Sequence, residues 1–386
     1  MKTIYLDNNA TSAVAPEVIE AMMPFLHDQW GNPSSMHAFG GEVKKHIDRA
    51  RSQVAELIHA DPSEIIFTSC GTESDNMAIR GAAEALGPRY NIITTRVEHP
   101  AVLGPCRYLG ERGHRLHEIG VDSAGQLDVV QLGEALRDGP AVVSVMWANN
   151  ETGVIFPIPE IAAMVKAAGG VMHTDAVQAV GKMPIDVRKI PVDMLSLSGH
   201  KIHAPKGIGV LYVRKGTRLQ PFMLGGHQED SRRAGTENVP YIVGLGRAAE
   251  LAGASIGREM TVIAALRDRL EAGFLATCPD SRVNGDRVNR LPNTLNISFE
   301  YIEGESILYM MSDVGIAASS GSACTSGSLE PSHVLRAMGV PFTAVHGSVR
   351  FSLSRFTTAE EIEYTLKSLP PIIAKLRAIS PFVKKT

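Results

Sequence analysis

The segment MLSLSGHKIHAPKGIG, residues 194–209, sets the architecture predicted for the whole chain. An apolar alternating run ends in Ser-Gly-His, Lys201 follows at once, and Pro-Lys-Gly-Ile-Gly leads into a second apolar run at 210–213. This pattern predicts a strand, a tight turn and another strand. A lysine at the mouth of two buried strands lies partly out of water, which favours the neutral amine that can form a Schiff base. The alternative is a solvated loop lysine, and the segment by itself favours that alternative.

Short apolar runs continue on both sides of this segment, and helical patterns separate most of them. The predicted strands are 65–67, 92–94, 115–119, 142–147, 171–173, 194–196 and 210–213. Helical patterns between them include 73–86, 128–136 and 159–168. The alternation predicts an α/β fold with a mainly parallel seven-stranded sheet sandwiched by helices. Ligand sites of such sheets lie beyond the carboxyl ends of the strands, where the polar candidate residues of this chain also fall.

The pattern changes after a long alanine-rich helical region at 240–278. Strands are predicted at 294–299, 314–318 and 349–353, and helices at 303–311 and 359–379, which together form a smaller α+β unit. A chain of 386 residues is also too long for one ordinary core. We therefore expect a large domain at 12–256 and a small C-terminal domain at 257–386, joined by the N-terminal segment 1–11.

Composition narrows the class of protein. A hydrophobic content of 44% and a charged content of 20% are typical of soluble globular proteins. A net charge of −3 gives no basic footprint for nucleic acid. No apolar run reaches the length of a membrane span, and the N-terminus lacks the regions of a signal peptide. We expect a cytoplasmic protein that binds neither nucleic acid nor membrane.

The four cysteines, at 70, 106, 278 and 324, form no Cys-x-x-Cys pair, so neither a zinc site nor a disulfide framework is expected. The first three lie beside apolar or helical sequence and are interpreted as inert core residues. Cys324 is surrounded by Ser, Gly, Ala and Thr, which predicts an exposed thiol on a mobile loop. The alternative is an incidental surface cysteine.

Two motifs carry a resemblance to a known family. SGHK at 198–201 followed by PKGIG resembles the pyridoxal-phosphate lysine segment of the class V aminotransferase superfamily, and SSGSACTS at 319–326 resembles the active-site cysteine loop of the cysteine desulfurases. The resemblance extends from YLDNNAT (5–11) to RFSLSRF (350–356). It implies fold type I of the pyridoxal-phosphate enzymes, with pyridoxal 5′-phosphate held by Lys201, and a homodimer.

The resemblance also implies a site for the coenzyme phosphate. Residues 67–76 read as a strand, a small-residue turn and a helix start, and a helix N-terminus binds anions. The family pattern places the phosphate on Gly71 and Thr72, although Thr72 could be only a helix cap. Ser198 and His200 are further phosphate contacts by resemblance. Thr236 resembles the residue that reaches the phosphate from the partner subunit.

Further roles follow from the same match. A carboxylate beside the pyridine nitrogen keeps that nitrogen protonated, and Asp175, at the end of an apolar run, is assigned this role rather than that of a helix cap. Gln178 and Asn150 resemble the contacts to the ring hydroxyl. His99 resembles the residue that stacks on the ring and acts as general acid or base; most histidines in such turns are only exposed or capping.

The substrate is expected to be L-cysteine. Arg350 resembles the arginine that grips its carboxylate, with Asn32 as a second contact, and Arg355 is the alternative anchor. The implied activity is cysteine desulfuration, which gives L-alanine and a persulfide on Cys324. The persulfide would pass to an acceptor such as an iron-sulfur scaffold, in whose complex a cluster is bridged at Cys324. No metal is expected in the site itself.

Two alternatives stay open: a class V aminotransferase of a small amino acid, which would need no thiol, and a catalytically silent sulfur carrier. The sequence SLEP at 328–331 after the cysteine marks the long-loop group of the desulfurases. Housekeeping members carry a longer tail than this chain, which ends at Thr386. The expectation is therefore the nitrogenase-associated type.

Overall fold

The computed structural model describes residues 3–320 and 331–382. In chain order, its strands are β1 Ile4–Tyr5, β2 Ile65–Thr68, β3 Asn91–Thr95, β4 Leu116–Ile119, β5 Ala141–Ser144, β6 Val171–Asp175, β7 Met194–Ser198, β8 Gly209–Val213, β9 Ser281–Val283, β10 Thr294–Phe299, β11 Ile316–Ala317 and β12 Ser348–Ser352. The α-helices are α1 Pro16–His27, α2 Ala38–Ile58, α3 Gly71–Leu86, α4 Pro100–Glu111, α5 Val129–Arg137, α6 Ile158–Ala167, α7 Val239–Arg258, α8 Ala264–Thr277, α9 Gly304–Asp313, α10 His333–Ala337, α11 Phe342–Val345 and α12 Ala359–Ile379.

The predicted seven-stranded sheet is confirmed, in the order β2-β8-β7-β6-β5-β3-β4. Strand β8 runs antiparallel to β2 and β7, and the other pairs are parallel. The strand predicted at 142–147 was too long, because β5 ends at Ser144. Beyond Ser144, the Met146 amide donates to Glu98 Oε1 at 2.9 Å instead of to a neighbouring strand. The Val145 and Trp147 amides still donate to the carbonyl oxygens of His173 and Asp175, so the chain stays beside β6.

Both faces of this sheet are covered, because alternate side chains of each strand point to opposite faces. On one face, Ile66, Ile92 and Val142 share a hydrophobic cluster with α3 and α4. On the other, Ile65, Ile93 and Val143 belong to a larger cluster that includes α1, α2 and α7. The carboxyl ends of the strands stay open between these two layers.

A second core surrounds a three-stranded antiparallel sheet of order β12-β10-β9. Buried side chains of α8, α9 and α12 pack on it, and so does Leu6 from the N-terminal segment. Strand β1 pairs with β11 in parallel, and Asp7 bridges to Ser352. The division into domains at 12–256 and 257–386 stays a prediction. Among the described helices, none is long and apolar enough to cross a membrane.

Helices α7 and α8 form one continuous helical rod, in agreement with the helical region predicted at 240–278. The rod contains a π-helical stretch at Glu259–Ile263, which the sequence pattern did not predict. Such insertions in α-helices are rare and are often found at functional sites. This one directs the buried carboxylate of Glu259 toward the turn that follows β7.

Candidate active site

A cavity of about 290 Å³ opens at the carboxyl ends of β6 and β7. Ten of the thirteen predicted site residues line it: Gly71, Thr72, His99, Asn150, Asp175, Gln178, Ser198, His200, Lys201 and Arg350. Most follow directly from strand ends, because parallel strands terminate at one edge of a sheet. Arg350 comes from β12 of the second sheet, so the cavity lies where the two sheets meet.

Lys201 lies in the short 3-10 turn Gly199–Lys201 that follows β7. Its Nζ donates to the carbonyl oxygens of Asn9 at 2.5 Å and Ala10 at 2.7 Å. The N-terminal segment therefore holds the amine against the cavity wall. An amine tethered in this way is placed to form an imine with an aldehyde inside the cavity.

The anion-binding end of the cavity is built from α3. The helix begins at Gly71, and the first backbone amides of a helix have no partner within it. A Cβ at position 71 would lie 3.0 Å from Val177 Cγ2 and 3.4 Å from Ser198 Cβ. Glycine therefore leaves a concave cradle of backbone donors there, which fits a phosphate group.

The cavity is also lined by Asp175, the last residue of β6, which is 7% exposed. Burial raises the pKa of Asp175 to about 6, against the hydrogen bond from the Val177 amide and the charge of Lys201. Asp75 is also buried, lines the same cavity, and has a pKa raised by burial and by the charge of Asp175. Two facing buried carboxyls disfavour double ionisation, so this part of the cavity readily holds a proton.

His99 caps the N-terminus of α4, where its Nδ1 accepts a hydrogen bond from the Ala101 amide at 3.1 Å. In a neutral imidazole the proton then lies on Nε2. Burial, and after it the charges of Lys201 and His333, lowers the pKa of His99 to about 4. The ring is therefore neutral near pH 7 and can donate from Nε2 into the cavity.

Arg350 is 3% exposed and is held from two directions. One terminal nitrogen donates to the Asn150 carbonyl at 3.0 Å, and the other contacts Asp7 Oδ1 at 2.8 Å. Its Nε has no hydrogen-bond partner among the described residues. A guanidinium fixed in this way matches the two oxygens of a carboxylate. The alternative anchor, Arg355, lines a different and much smaller cavity.

Two of the predicted residues that the structure describes, Asn32 and Thr236, do not line the cavity. Asn32 accepts a hydrogen bond from the Ser34 amide in a local turn. Thr236 lines a separate cavity of about 130 Å³ beside the end of β2. Cys324 lies outside the described residues.

The residues that flank 321–330 are attached to the cavity wall. Before that range, Ser319 pairs with Arg350 through two backbone hydrogen bonds. After it, the Ser332 hydroxyl donates to Glu151 Oε2 at 2.5 Å, and His333 contacts the Glu98 carbonyl oxygen. The described residues on either side of 321–330 therefore lie against residues next to His99, Asn150 and the guanidinium.

Several residues of the cavity wall were not identified from the sequence. Cys70 was interpreted as an inert core residue, but it is half-exposed and lines the cavity, because it is the N-cap of α3. Cys106 and Cys278 are buried, as expected. Asp75 follows Gly71 by four residues, so helical spacing alone could have placed it on the same face. Asn9 had no comparable signal.

The donor set suits pyridoxal 5′-phosphate. The cavity provides an amine for its aldehyde, a helix N-terminus with a glycine cradle for its phosphate, and a carboxylate for its ring nitrogen. His200, whose pKa burial lowers to about 4, adds a neutral donor or acceptor beside the cradle. Within residues 3–320 and 331–382, no group of three His, Cys, Asp or Glu side chains could hold a metal ion.

Comparisons with known proteins agree with this chemistry. The model of the family described as aminotransferase class-V matches residues 4–365. Cysteine desulfurase NifS of Azotobacter vinelandii is 58% identical over 383 residues, which cover 99% of this chain and 95% of that protein. A cysteine desulfurase of Nostoc sp. is also 58% identical, over 382 residues, with 99% and 96% covered.

Solved structures give the same result. A structure described as a NifS-like protein superposes with a TM-score of 0.91 at 39% identity, and covers 97% of this chain and 100% of its own. A structure described as SspA in complex with cysteine superposes with a TM-score of 0.81 at 34% identity, and covers 92% and 99%.

Proposed function

The chain belongs to the class-V aminotransferase family and is a cysteine desulfurase of the NifS group that uses pyridoxal 5′-phosphate; from this we propose specific roles for its residues. Lys201 holds the coenzyme and transfers protons. Asp175 and His99 set the protonation state of the coenzyme and its surroundings. Arg350 binds the substrate carboxylate, and Cys324 receives the sulfur. The observation that carries the proposal is the convergence of the first four side chains on one cavity.

Binding of L-cysteine begins at Arg350. Its buried guanidinium, fixed by Asp7 and by the Asn150 carbonyl, presents donors to the substrate carboxylate. This contact points the amino group of the substrate toward the side of the cavity that holds Lys201. When bound, pyridoxal 5′-phosphate supplies an electron-withdrawing ring that stabilises negative charge at the substrate Cα.

Proton transfers are assigned to two groups. Lys201, once displaced by the substrate amine, takes the Cα proton as a neutral base. Neutral His99 carries a proton on Nε2 and serves the substrate and the incoming thiol. Burial and the charge of Asp175 raise the pKa of Asp75, so Asp75 holds the proton of the pair and Asp175 is left ionised, and the Asp175 carboxylate would keep a ring nitrogen protonated.

Sulfur transfer follows on Cys324. Its thiolate attacks the substrate sulfur and forms an S–S bond while the Cβ–S bond of the substrate breaks. The electron pair stays on the substrate carbon skeleton, which is protonated to L-alanine, and the enzyme retains a persulfide. Cysteine and enzyme thiol thus become alanine and enzyme persulfide without an external oxidant.

The test is mass spectrometry of the protein after incubation with L-cysteine. We expect one added sulfur on the peptide that contains Cys324 and one alanine per sulfur transferred. The peptide with Cys70 serves as an internal control, because it is a second cavity thiol. A Cys324→Ser variant that still released alanine and sulfide at the wild-type rate would contradict the assignment and favour an aminotransferase.

We propose the acceptor, the cellular location and the oligomeric state from the relatives. The enzyme passes its persulfide to an acceptor protein in the cytoplasm, where it supplies sulfur for iron-sulfur clusters, including those of nitrogen fixation. It works as a homodimer in which Thr236 of each copy completes the phosphate site of the other. Mixing Lys201→Ala and Thr236→Ala chains should then restore activity in heterodimers. One of the two sites in such a heterodimer has an intact Lys201 from one chain and an intact Thr236 from the other.

A further inference from the structure

A buried lysine that the proposed mechanism does not use lies behind the active site. Lys182 is 7% exposed and follows Gly181, whose positive φ of 76° is readily adopted by glycine. A Cβ at Gly181 would lie 3.0 Å from both Ala252 Cβ and Ile202 Cγ2. The tight, left-handed turn therefore presses the chain against Ile202 and directs the side chain of Lys182 beneath the cavity.

Hydrogen bonds connect this lysine to the site. Lys182 Nζ donates to Gln178 Oε1 at 3.0 Å, and Gln178 Nε2 donates to the Asn9 carbonyl at 3.0 Å. The same carbonyl accepts from Lys201 Nζ. An ammonium group can only donate, so it fixes which end of the Gln178 amide is the oxygen. One hydrogen of the Gln178 NH2 group is used in the bond to Asn9. The second hydrogen can be donated to a group bound in the cavity, because Gln178 lines it.

A small second cavity brings the charges together. Its volume is about 20 Å³, enough for one water molecule, and both lysines line it. The titratable and charged groups that face Lys182 come from the turn after β7, from the π-helical stretch and from the chain around β12: His200, Lys201, His203, Glu259, Arg350 and Arg355. Positive groups outnumber the single carboxylate, whose Oε2 has no hydrogen-bond partner among the described residues.

The burial of Lys182 among these positive charges does not stabilise the fold. Burying an ammonium with one hydrogen-bond acceptor is unfavourable, and a packed methionine of similar size would avoid that cost. Burial, and after it the charge of Lys201, lowers the pKa of Lys182 to about 7, although Glu259 opposes the shift. Repulsion between two nearby amines lowers the proton affinity of each.

We propose that Lys182 is a positioning residue of the active site, which orients the Gln178 amide toward the cavity and places a second cation behind Lys201. The inference rests on the proposed role of Lys201. Because Lys182 adds a positive charge, a proton binds more weakly beside Lys201 than it would in the same cavity without Lys182. The amine of Lys201, which acts as the base, is thereby kept neutral at lower pH.

The experiment is a pH titration of the visible absorbance of the purified holoenzyme. In Lys182→Met, the midpoint should rise by about one pH unit, because a repelling charge is lost. Lys182→Gln should move it in the same direction, and Lys182→Arg, which stays charged throughout the titration, should not raise it. The matched control is Lys189→Met, at a lysine whose side chain is 82% exposed, and its midpoint should not move.

An unmoved or lowered midpoint in both neutral variants would overturn the inference. So would a fall in Tm without a shift of the midpoint, since it would make Lys182 a structural residue only. The orientation of the amide is tested by turnover: the losses in Lys182→Met and Gln178→Ala should not add in the double variant. A wild-type band that does not depend on Lys201 would instead refute the proposed function, and this inference with it.

Discussion

The buried carboxyl of Glu98, next to His99, should make folding stability fall as pH rises. It is fully buried, and its Oε1 accepts hydrogen bonds from Thr95 Oγ1 and the Met146 amide, both at 2.9 Å. Burial raises the pKa of Glu98 from 4.5 to about 8, although these two hydrogen bonds lower it. At neutral pH the folded protein therefore keeps a proton that the unfolded chain releases.

The sign and size follow from proton linkage. Because the folded state binds the extra proton, each rise of one pH unit between 4.5 and about 8 lowers the free energy of unfolding by about 1.4 kcal/mol. Glu98→Gln carries no such proton. Between about pH 5.5 and about pH 7.5, the wild type should lose about 2.7 kcal/mol relative to the variant.

Urea unfolding of both proteins across this range measures the difference. Contributions of buried acids that do not interact with Glu98, such as Glu151, cancel in the comparison. Glu84→Gln, at an exposed position of α3, is the matched control, and its curve should run parallel to that of the wild type. Parallel curves for Glu98→Gln as well would refute the argument, because Glu98 would then be ionised in the folded protein.

Three further outcomes are expected. Arg350→Lys should raise KM for L-cysteine roughly tenfold and leave the visible band unchanged, because an ammonium cannot replace the fork of a guanidinium; steady-state kinetics and a spectrum check this. Gly71→Ala should weaken coenzyme binding roughly tenfold in a fluorescence titration, since its Cβ would crowd Val177 at 3.0 Å. Arg51→Met should lower the free energy of urea unfolding by about 3–5 kcal/mol, because it leaves the Glu229 carboxylate buried without its partner. Adding Glu229→Gln should recover part of that loss.

The sheet and most of the cavity wall could be predicted because they depend on strong local signals. Most strands of the large sheet are apolar runs, and parallel strands place whatever follows them at one edge. Asp175 and Lys201 could therefore be expected near each other from the sequence alone. The short elements β9, α10 and α11 were missed, since three to five residues are too few to show a periodicity.

Burial of charged side chains could not be predicted. Glu98 lies in a polar stretch that resembles an ordinary turn, and Lys182 follows a glycine that could equally begin an exposed turn. Only the packing of distant segments encloses the two side chains. The π-helical stretch Glu259–Ile263 also had no signal in the sequence pattern. Thr236 and Asn32 came from the resemblance alone, and one chain does not place them in the cavity.

Burial is also the first cause of the pKa shift at Asp175, His99 and Lys182. Shifts caused by exposed charges are screened by salt, whereas desolvation is not. The protonation states of the cavity should therefore change little with ionic strength. They depend on the exclusion of water by the packed wall, including the segments around Ser319 and Ser332 that adjoin Arg350 and Glu151. A substitution that admits water there should bring these groups back toward their ordinary pKa values even if every catalytic side chain is intact.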